Sequence, residues 1–228
     1  MQVVIWSDIA CPWCYIGKRR FEAALADFEH ADELEVVWRS FELDPQAPPE
    51  RDGDLARLLA RKYGIGVEQA RETQRQMTEA AAAEGLEFHF DRARSGSTFD
   101  GHRLIHLAAA HNRQDAMKER LLRAYFTEGR LISDPDTLLE LGGEVGLPAE
   151  EVHSLLATDR FGAEVRAEEQ EAASLGISGV PTFIVERRIG VTGAQPAEIL
   201  LEMLRRGWAQ RTPAGILADG ESCGVGGC

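Results

Sequence analysis

The stretch Val3-Val4-Ile5-Trp6-Ser7-Asp8-Ile9-Ala10-Cys11-Pro12-Trp13-Cys14 changes from one kind of secondary structure to another along its length. Its β-branched and aromatic start, Val3 to Ser7, reads as a strand. Beyond Cys14, the residues Ile16, Phe21, Leu25 and Phe28 recur at helical spacing. Strand, loop and helix therefore follow one another, with the two cysteines at the opening of the helix. A thiol there meets unpaired N–H groups and the positive end of the helix dipole, both of which favour an anion. Cys11 is accordingly expected to ionise more readily than an ordinary thiol of pKa ~8.5 and to attack a partner disulfide. Cys14, one turn deeper, is expected to resolve the mixed disulfide that results. Pro12 has no N–H to lose and suits the first helical turn, while the ring of Trp13 can flank a substrate.

Outward from this stretch, Leu34 to Phe41 alternates around a Val-rich centre and reads as a second, largely buried strand. Asp44-Pro45-Gln46-Ala47-Pro48-Pro49 breaks that pattern. From there to Leu175 the segments are helical in character: Leu55 to Tyr63, Val67 to Glu84, His102 to Asn112, Asp115 to Glu128, Pro135 to Val145, Ala149 to Ala157 and Phe161 to Leu175. Pro181 to Glu186 and Arg188 to Thr192 return to short strand-like runs joined as a hairpin, and Pro196 to Trp208 gives a last amphipathic helix. The order is β-α-β, helices, β-β-α. The expected fold is α/β, a thioredoxin-like core (residues 1–50 and 176–209) carrying a large inserted α-helical subdomain (51–175). A Gly-rich tail, 210–228, ends in Cys223-Gly224-Val225-Gly226-Gly227-Cys228.

Gly179-Val180-Pro181-Thr182 falls where the third core strand should begin, a position at which a sheet tolerates proline. A cis Val180–Pro181 bond would present the Val180 backbone beside Cys11, where a substrate strand can pair with it. Zinc is the competing use of two cysteines at this spacing. Two further ligands would be needed near the pair, and the remaining cysteines lie at the far C-terminus in a different spacing, so no metal site is expected.

These residues resemble the DsbA family of disulfide oxidoreductases, particularly its FrnE-like branch of signal-less proteins. The resemblance spans nearly the whole chain and rests on Ser7-Asp8-Ile9-Ala10-Cys11-Pro12-Trp13-Cys14, Gly101-His102-Arg103-Leu104 and Ser178-Gly179-Val180-Pro181-Thr182-Phe183. It implies Cys11 and Cys14 as the redox pair, Pro181 as a cis-proline beside them, and no required prosthetic group. The kappa-class glutathione transferases and 2-hydroxychromene-2-carboxylate isomerases share that fold, with serine where Cys11 stands. They supply the alternative of a glutathione-dependent transferase or isomerase, for which Cys14 has no mechanistic purpose. Glutathione is then a candidate redox partner. Trp13 stands where the best-known exported members carry histidine, so their strong oxidising character is not implied.

The partners expected are protein or small-molecule disulfides and dithiols, met by a monomer or homodimer. A formal charge of -13 repels phosphate backbones, and no apolar run approaches the ~20 residues of a membrane span, so neither nucleic acid nor membrane is expected. With no basic, apolar leader before the cysteines, a cytoplasmic protein is expected, a compartment in which a close cysteine pair is catalytic or metal-binding. A zinc-binding interaction protein built on the four cysteines is the reading from a different class. Cys223 and Cys228 are a possible second redox pair, on a flexible link that closes without strain. Asp8 reads as a cap through backbone hydrogen bonds. His102 is a candidate substrate-binding residue across the subdomain cleft, and Glu168-Glu169-Gln170-Glu171 reads as a solvated helix face.

Overall fold

The computed structural model describes residues 1–211. Among these, β1 (Gln2–Ser7) is followed by α1 (Pro12–Ala26) and β2 (Glu35–Ser40). Seven helices come next: α2 (Leu55–Tyr63), α3 (Val67–Ala83), α4 (Phe99–Ala110), α5 (Gln114–Phe126), α6 (Pro135–Glu144), α7 (Ala149–Ala157) and α8 (Gly162–Ser174). The hairpin β3 (Thr182–Val185) and β4 (Ile189–Thr192) and the helix α9 (Ala197–Ala209) are the last elements of the described residues. The strands form one sheet in the order β2-β1-β3-β4, with β1 parallel to β2 and the other neighbours antiparallel. This is the thioredoxin-like α/β fold with a large α-helical insertion.

Strand alternation assigns each face of the sheet its partner. Val3 and Ile5 of β1 point to one side, where they join Phe21 and Ala24 of α1 and Leu200, Met203 and Leu204 of α9. Val4 and Trp6 point to the other side and meet Ala172 of α8. Thus α8, inside the range 51–175 read as inserted, lies on the sheet itself. Its Glu168 is buried, contrary to the solvated face expected of that run. The carboxylate accepts from Arg39 (2.6 Å) and the Ser40 N–H (2.6 Å) and lies 3.1 Å from His106 Nε2. The Glu168 carbonyl also accepts from Trp6 Nε1 at 3.1 Å. Period alone could not reveal this, because the partners come from β1, β2 and α4.

Helices α4 to α7 build a second core with the start of α1. Ile9, Tyr15 and Ile16 enter a cluster with Leu104, Leu107, Leu121, Leu141 and Leu155 from α4 to α7. The loop after β1 and the first turn of α1 are therefore gripped by the insertion, and these are the segments that carry the cysteines.

Candidate active site

The turn between β1 and α1 is organised by Asp8. Its Oδ1 accepts from the Ile9 N–H at 2.6 Å and its Oδ2 from the Leu43 N–H at 2.8 Å, tying the loop to the segment after β2. Thr98 Oγ1 donates to Oδ1 at 2.9 Å, and His102 Nε2 lies 3.3 Å from the same oxygen. The Asp8 side chain is thus the loop cap that the sequence suggests, and also a carboxylate buried against α4. Burial opposes its charge, yet the hydrogen bond and charge of His102, the Leu43 N–H and the charge of Lys118 hold the carboxyl below its ordinary range. The approach of α4 depends on Gly101: a Cβ there would stand 2.6 Å from Ile9 Cδ1.

Cys11 takes the N-cap position of α1 with extended backbone angles, Pro12 follows in the first turn, and the Cys14 N–H bonds to the Cys11 carbonyl at 3.0 Å. Both cysteines are free thiols. Cys14 is fully enclosed, whereas Cys11 keeps 4% of its surface and Trp13 keeps 40%. The Cys11 thiol donates toward the Val180 carbonyl, 3.6 Å away. The Val180–Pro181 bond is cis. Pro181 rests on α1 at Gly17, where an added Cβ would lie 2.8 Å from the proline Cγ.

Cys11, Cys14, Pro12, Trp13, Val180 and Pro181 thus gather at one end of α1. His102 does not join them on the surface: it is buried, with Asp8 as its ring partner. Desolvation and the charge of Lys118 push the imidazole below its ordinary range, against the pull of Asp8. Cys223 and Cys228 lie outside the described residues.

The charge distribution around the pair differs from that expected of a helix N-terminus alone. The Cys11 thiol is pushed up by its hydrogen bond with Cys14, by burial, and by the negative charges of Cys14 and Asp8. Cys14 lies lower than an ordinary thiol. Burial opposes its ionisation, but the neighbouring Cys11, the charge of Lys118, the Ser7 hydroxyl and the Asp8 N–H together outweigh that cost. Part of both shifts arises from the one contact between the two sulfurs, and Lys118 adds a positive charge on the Cys14 side. Lys118 and Ser7 were not singled out by the sequence reading. The available signal for Lys118 was its place on the apolar stripe of α5, beside Met117 and a turn before Leu121 and Leu122.

A hollow of about 760 Å³ is lined by residues including Arg71, Gln74, Phe88 and Phe90, and neither Cys11 nor Cys14 borders it. Among the described residues no group of three His, Cys, Asp or Glu side chains is placed to hold a metal ion, and no helix is long and apolar enough to cross a membrane.

A thioredoxin fold that presents a dithiol at the start of its first helix, with a backbone carbonyl against the outer sulfur, defines an enzyme of the thiol–disulfide oxidoreductase and isomerase class. Residues 2–205 match the DSBA-like thioredoxin domain, and the chain belongs to that family. It is similar to a probable DsbA oxidoreductase from Streptomyces coelicolor, with 48% identity and a TM-score of 0.92 over 100% of this chain and 98% of that one. An uncharacterised protein from Bacillus subtilis, YwbO, is 28% identical over 81% of this chain and 86% of its own length. The cytosolic disulfide reductase DsbM from Pseudomonas aeruginosa, solved also with GSH, shares the fold at 21% identity, with a TM-score of 0.65 over 92% of this chain and 100% of that one.

Proposed function

We propose that this chain catalyses dithiol–disulfide exchange through Cys11-Pro12-Trp13-Cys14. Cys11 is the attacking thiol, Cys14 the resolving thiol, and Pro12, Trp13, Val180 and Pro181 form the surface met by substrate. The observation that carries the reading is the 3.6 Å approach of Cys11 Sγ to the Val180 carbonyl. A substrate strand paired with that backbone lays its own sulfur against Cys11, which keeps exposed surface where Cys14 keeps none.

Cys11 reacts as the thiolate, once the proton it directs toward the Val180 carbonyl has passed to water. It attacks a substrate disulfide, forming a Cys11–substrate bond and releasing the first substrate thiolate. Cys14 then attacks Cys11 Sγ, closing the enzyme disulfide and releasing the second thiol. The enzyme is oxidised by two electrons and the substrate disulfide is reduced to two thiols. Run backwards, the same steps oxidise a dithiol.

Protein or small-molecule disulfides are the proposed substrates, and glutathione is the proposed redox partner without being a required cofactor. The GSH-bound form of DsbM supports that choice, and its cytosolic setting supports a cytoplasmic place for this chain. His102 is proposed to act through Asp8, and Cys223 with Cys228 as a second redox pair that exchanges with Cys11 and Cys14. The protein works as a monomer or homodimer.

Insulin reduction and scrambled-ribonuclease refolding, each compared between wild type and Cys11→Ser, test the reading. Activity in wild type, lost in Cys11→Ser, is expected. An inactive wild type that conjugates glutathione to electrophiles would instead make the chain a transferase, and stoichiometric zinc lost with the cysteines would make it a metal-binding protein.

A further inference from the structure

Two buried lysines, Lys18 and Lys118, lie against the ring of Trp38, and they are treated very differently. Lys18 of α1 is neutralised by Glu22, Asp115 and Glu119. Lys118 of α5 keeps 1% of its surface, yet among the described residues its one hydrogen bond runs to a neutral group, the Ser7 carbonyl, at 3.1 Å. Among the described residues no carboxylate stands within ion-pairing distance of it. Both ammonium groups lie against the ring of Trp38, Lys18 at 5.9 Å and Lys118 at 5.8 Å from its centroid. An indole ring compensates a buried cation only in part. The Ser7 hydroxyl is fully buried as well, meets no nitrogen or oxygen partner among the described residues, and lies on the residue whose carbonyl Lys118 holds, where it favours the ionised form of Cys14.

We propose that Lys118, seated on the Ser7 carbonyl, is the positioning residue for the resolving half of the exchange, supplying the positive charge that favours the Cys14 thiolate as it attacks. The inference rests on the dithiol reading above and extends it. A buried ammonium without a carboxylate partner is costly unless a negative charge faces it, and the negative charges facing Lys118 are those of Cys14, Asp8 and Cys11. Lys18 opposes its charge from α1, and His102 borders Asp8 from α4. Desolvation and Lys18 push the Lys118 ammonium down to about 8, so it keeps its proton at neutral pH chiefly through those anions.

In the mixed disulfide, the Cys14 thiolate forms its bond to Cys11 Sγ as the Cys11–substrate bond breaks. The electron pair leaves with the substrate thiolate, which takes a proton from water. Forming the enzyme disulfide removes the negative charge of Cys14, so Lys118 is left facing Asp8 alone. Charge on Cys14 and charge on Lys118 must therefore support each other reciprocally.

The test uses the full chain with 13C-labelled cysteine and lysine. In reduced Lys118→Met, whose side chain fills the same apolar path, the Cys14 Cβ titration is expected to move up by about one pH unit or more, a tenfold fall in ionisation. Resolution of a Cys11–glutathione mixed disulfide at neutral pH should slow about tenfold, with the deficit closing as pH rises, and Lys118→Arg should recover part of the rate. In wild type, the Lys118 Cε resonance is expected to titrate at lower pH when the pair is oxidised than when it is reduced. An unmoved Cys14 titration in folded Lys118→Met overturns the proposal. Equal Lys118 titrations in the two redox states overturn it without any variant, and so decide the matter if Lys118→Met does not fold. An inactive wild type would sink the exchange reading while these titrations still reported on the charge coupling.

Discussion

Gly17 and Pro181 touch so closely that no larger residue fits between them: a Cβ built on Gly17 lies 2.8 Å from the proline Cγ, with Phe183 Cζ at 3.5 Å behind it. Helix α1 and the strand entry that carries Val180 are set against each other at this point, and that spacing brings the Val180 carbonyl to Cys11. Glycine inside a helix costs ~1 kcal/mol relative to alanine, so a vacant site would make Gly17→Ala stabilising. We expect the reverse. The overpacked variant should lose about 1–3 kcal/mol in urea unfolding, and insulin reduction should fall at temperatures where the protein remains folded. A stabilised, fully active Gly17→Ala would show that the contact does not set the spacing.

Removing the enclosed thiol separates the two cysteine roles. Cys14→Ala leaves Cys11 able to attack but without its neighbour to resolve the product, so incubation with glutathione disulfide should leave one glutathione on Cys11, read as a mass increase on a Cys11 peptide. Cys11→Ser should show no such adduct at Cys14, which has no exposed surface. If the adduct on Cys14→Ala forms and then decays, Cys223 and Cys228 are the remaining thiols able to release it. Changing both to serine should then make it persist, whereas decay at the same rate would count against their role as a second pair.

The residues that announce the site do so locally. Strand, cysteine pair and helix lie within one stretch, and Val180-Pro181 marks a strand entry by proline chemistry, so both are visible without knowing the fold. The helices of the insertion are visible for a similar reason: α2 and α7 follow the spacing of their apolar residues, and Asp134 and Pro135 mark the start of α6. What stays hidden is decided by partners far along the chain. Lys118 reads as one more surface charge in Met117-Lys118-Glu119-Arg120 until α5 is laid beside Ser7. Glu168 reads as one acid in a run until Arg39 and Ser40 are brought to it. Gly17 reads as a weak helix residue until Pro181 arrives. The positive charge beside Cys14 is hidden for the same reason, because the helix start is local but Lys118 is not.

His102 should make stability depend on pH. Burial and the Lys118 charge hold its folded pKa below the ordinary 6.5, so below that pH the unfolded chain binds a proton that the folded chain does not. The unfolding free energy contributed by His102 is complete above about pH 6.5 and is lost as pH falls toward the folded value, at about 1.4 kcal/mol per unit. Glu42 runs the other way in the same window. Burial, with the charges of Glu169 and Asp8, pushes it up to about 7 against the pull of Arg166, so its contribution favours the folded state as pH falls. Comparison of wild type with His102→Gln by urea unfolding between about pH 7.5 and 5 removes the Glu42 part. The stability difference should shift steadily in favour of the variant as pH falls, and a difference independent of pH would mean that His102 does not titrate differently on folding.

Glu168 offers the sharpest stability test, because its carboxylate joins α8 to the sheet. Although burial opposes its charge, the hydrogen bond and charge of His106, the Ser40 N–H and Arg39 hold its pKa at about 2, against an ordinary 4.5. The folded carboxyl is the stronger acid, so its contribution is present above pH 4.5 and disappears as pH falls through about 2. The difference between those values corresponds to about 3 kcal/mol, similar to the cost of breaking a buried ion pair. Glu168→Gln retains the shape and removes the charge, and should be less stable than wild type by about that amount at neutral pH. The gap should close as pH falls from 4.5, because wild type then loses what the variant already lacks. The Glu168 carbonyl still accepts from Trp6 Nε1 in the variant, so α8 keeps its seat and exchange activity at moderate temperature should remain near that of wild type. A gap that stays constant down to about pH 2.5 would assign the loss to packing and leave the ion pair without a measurable role.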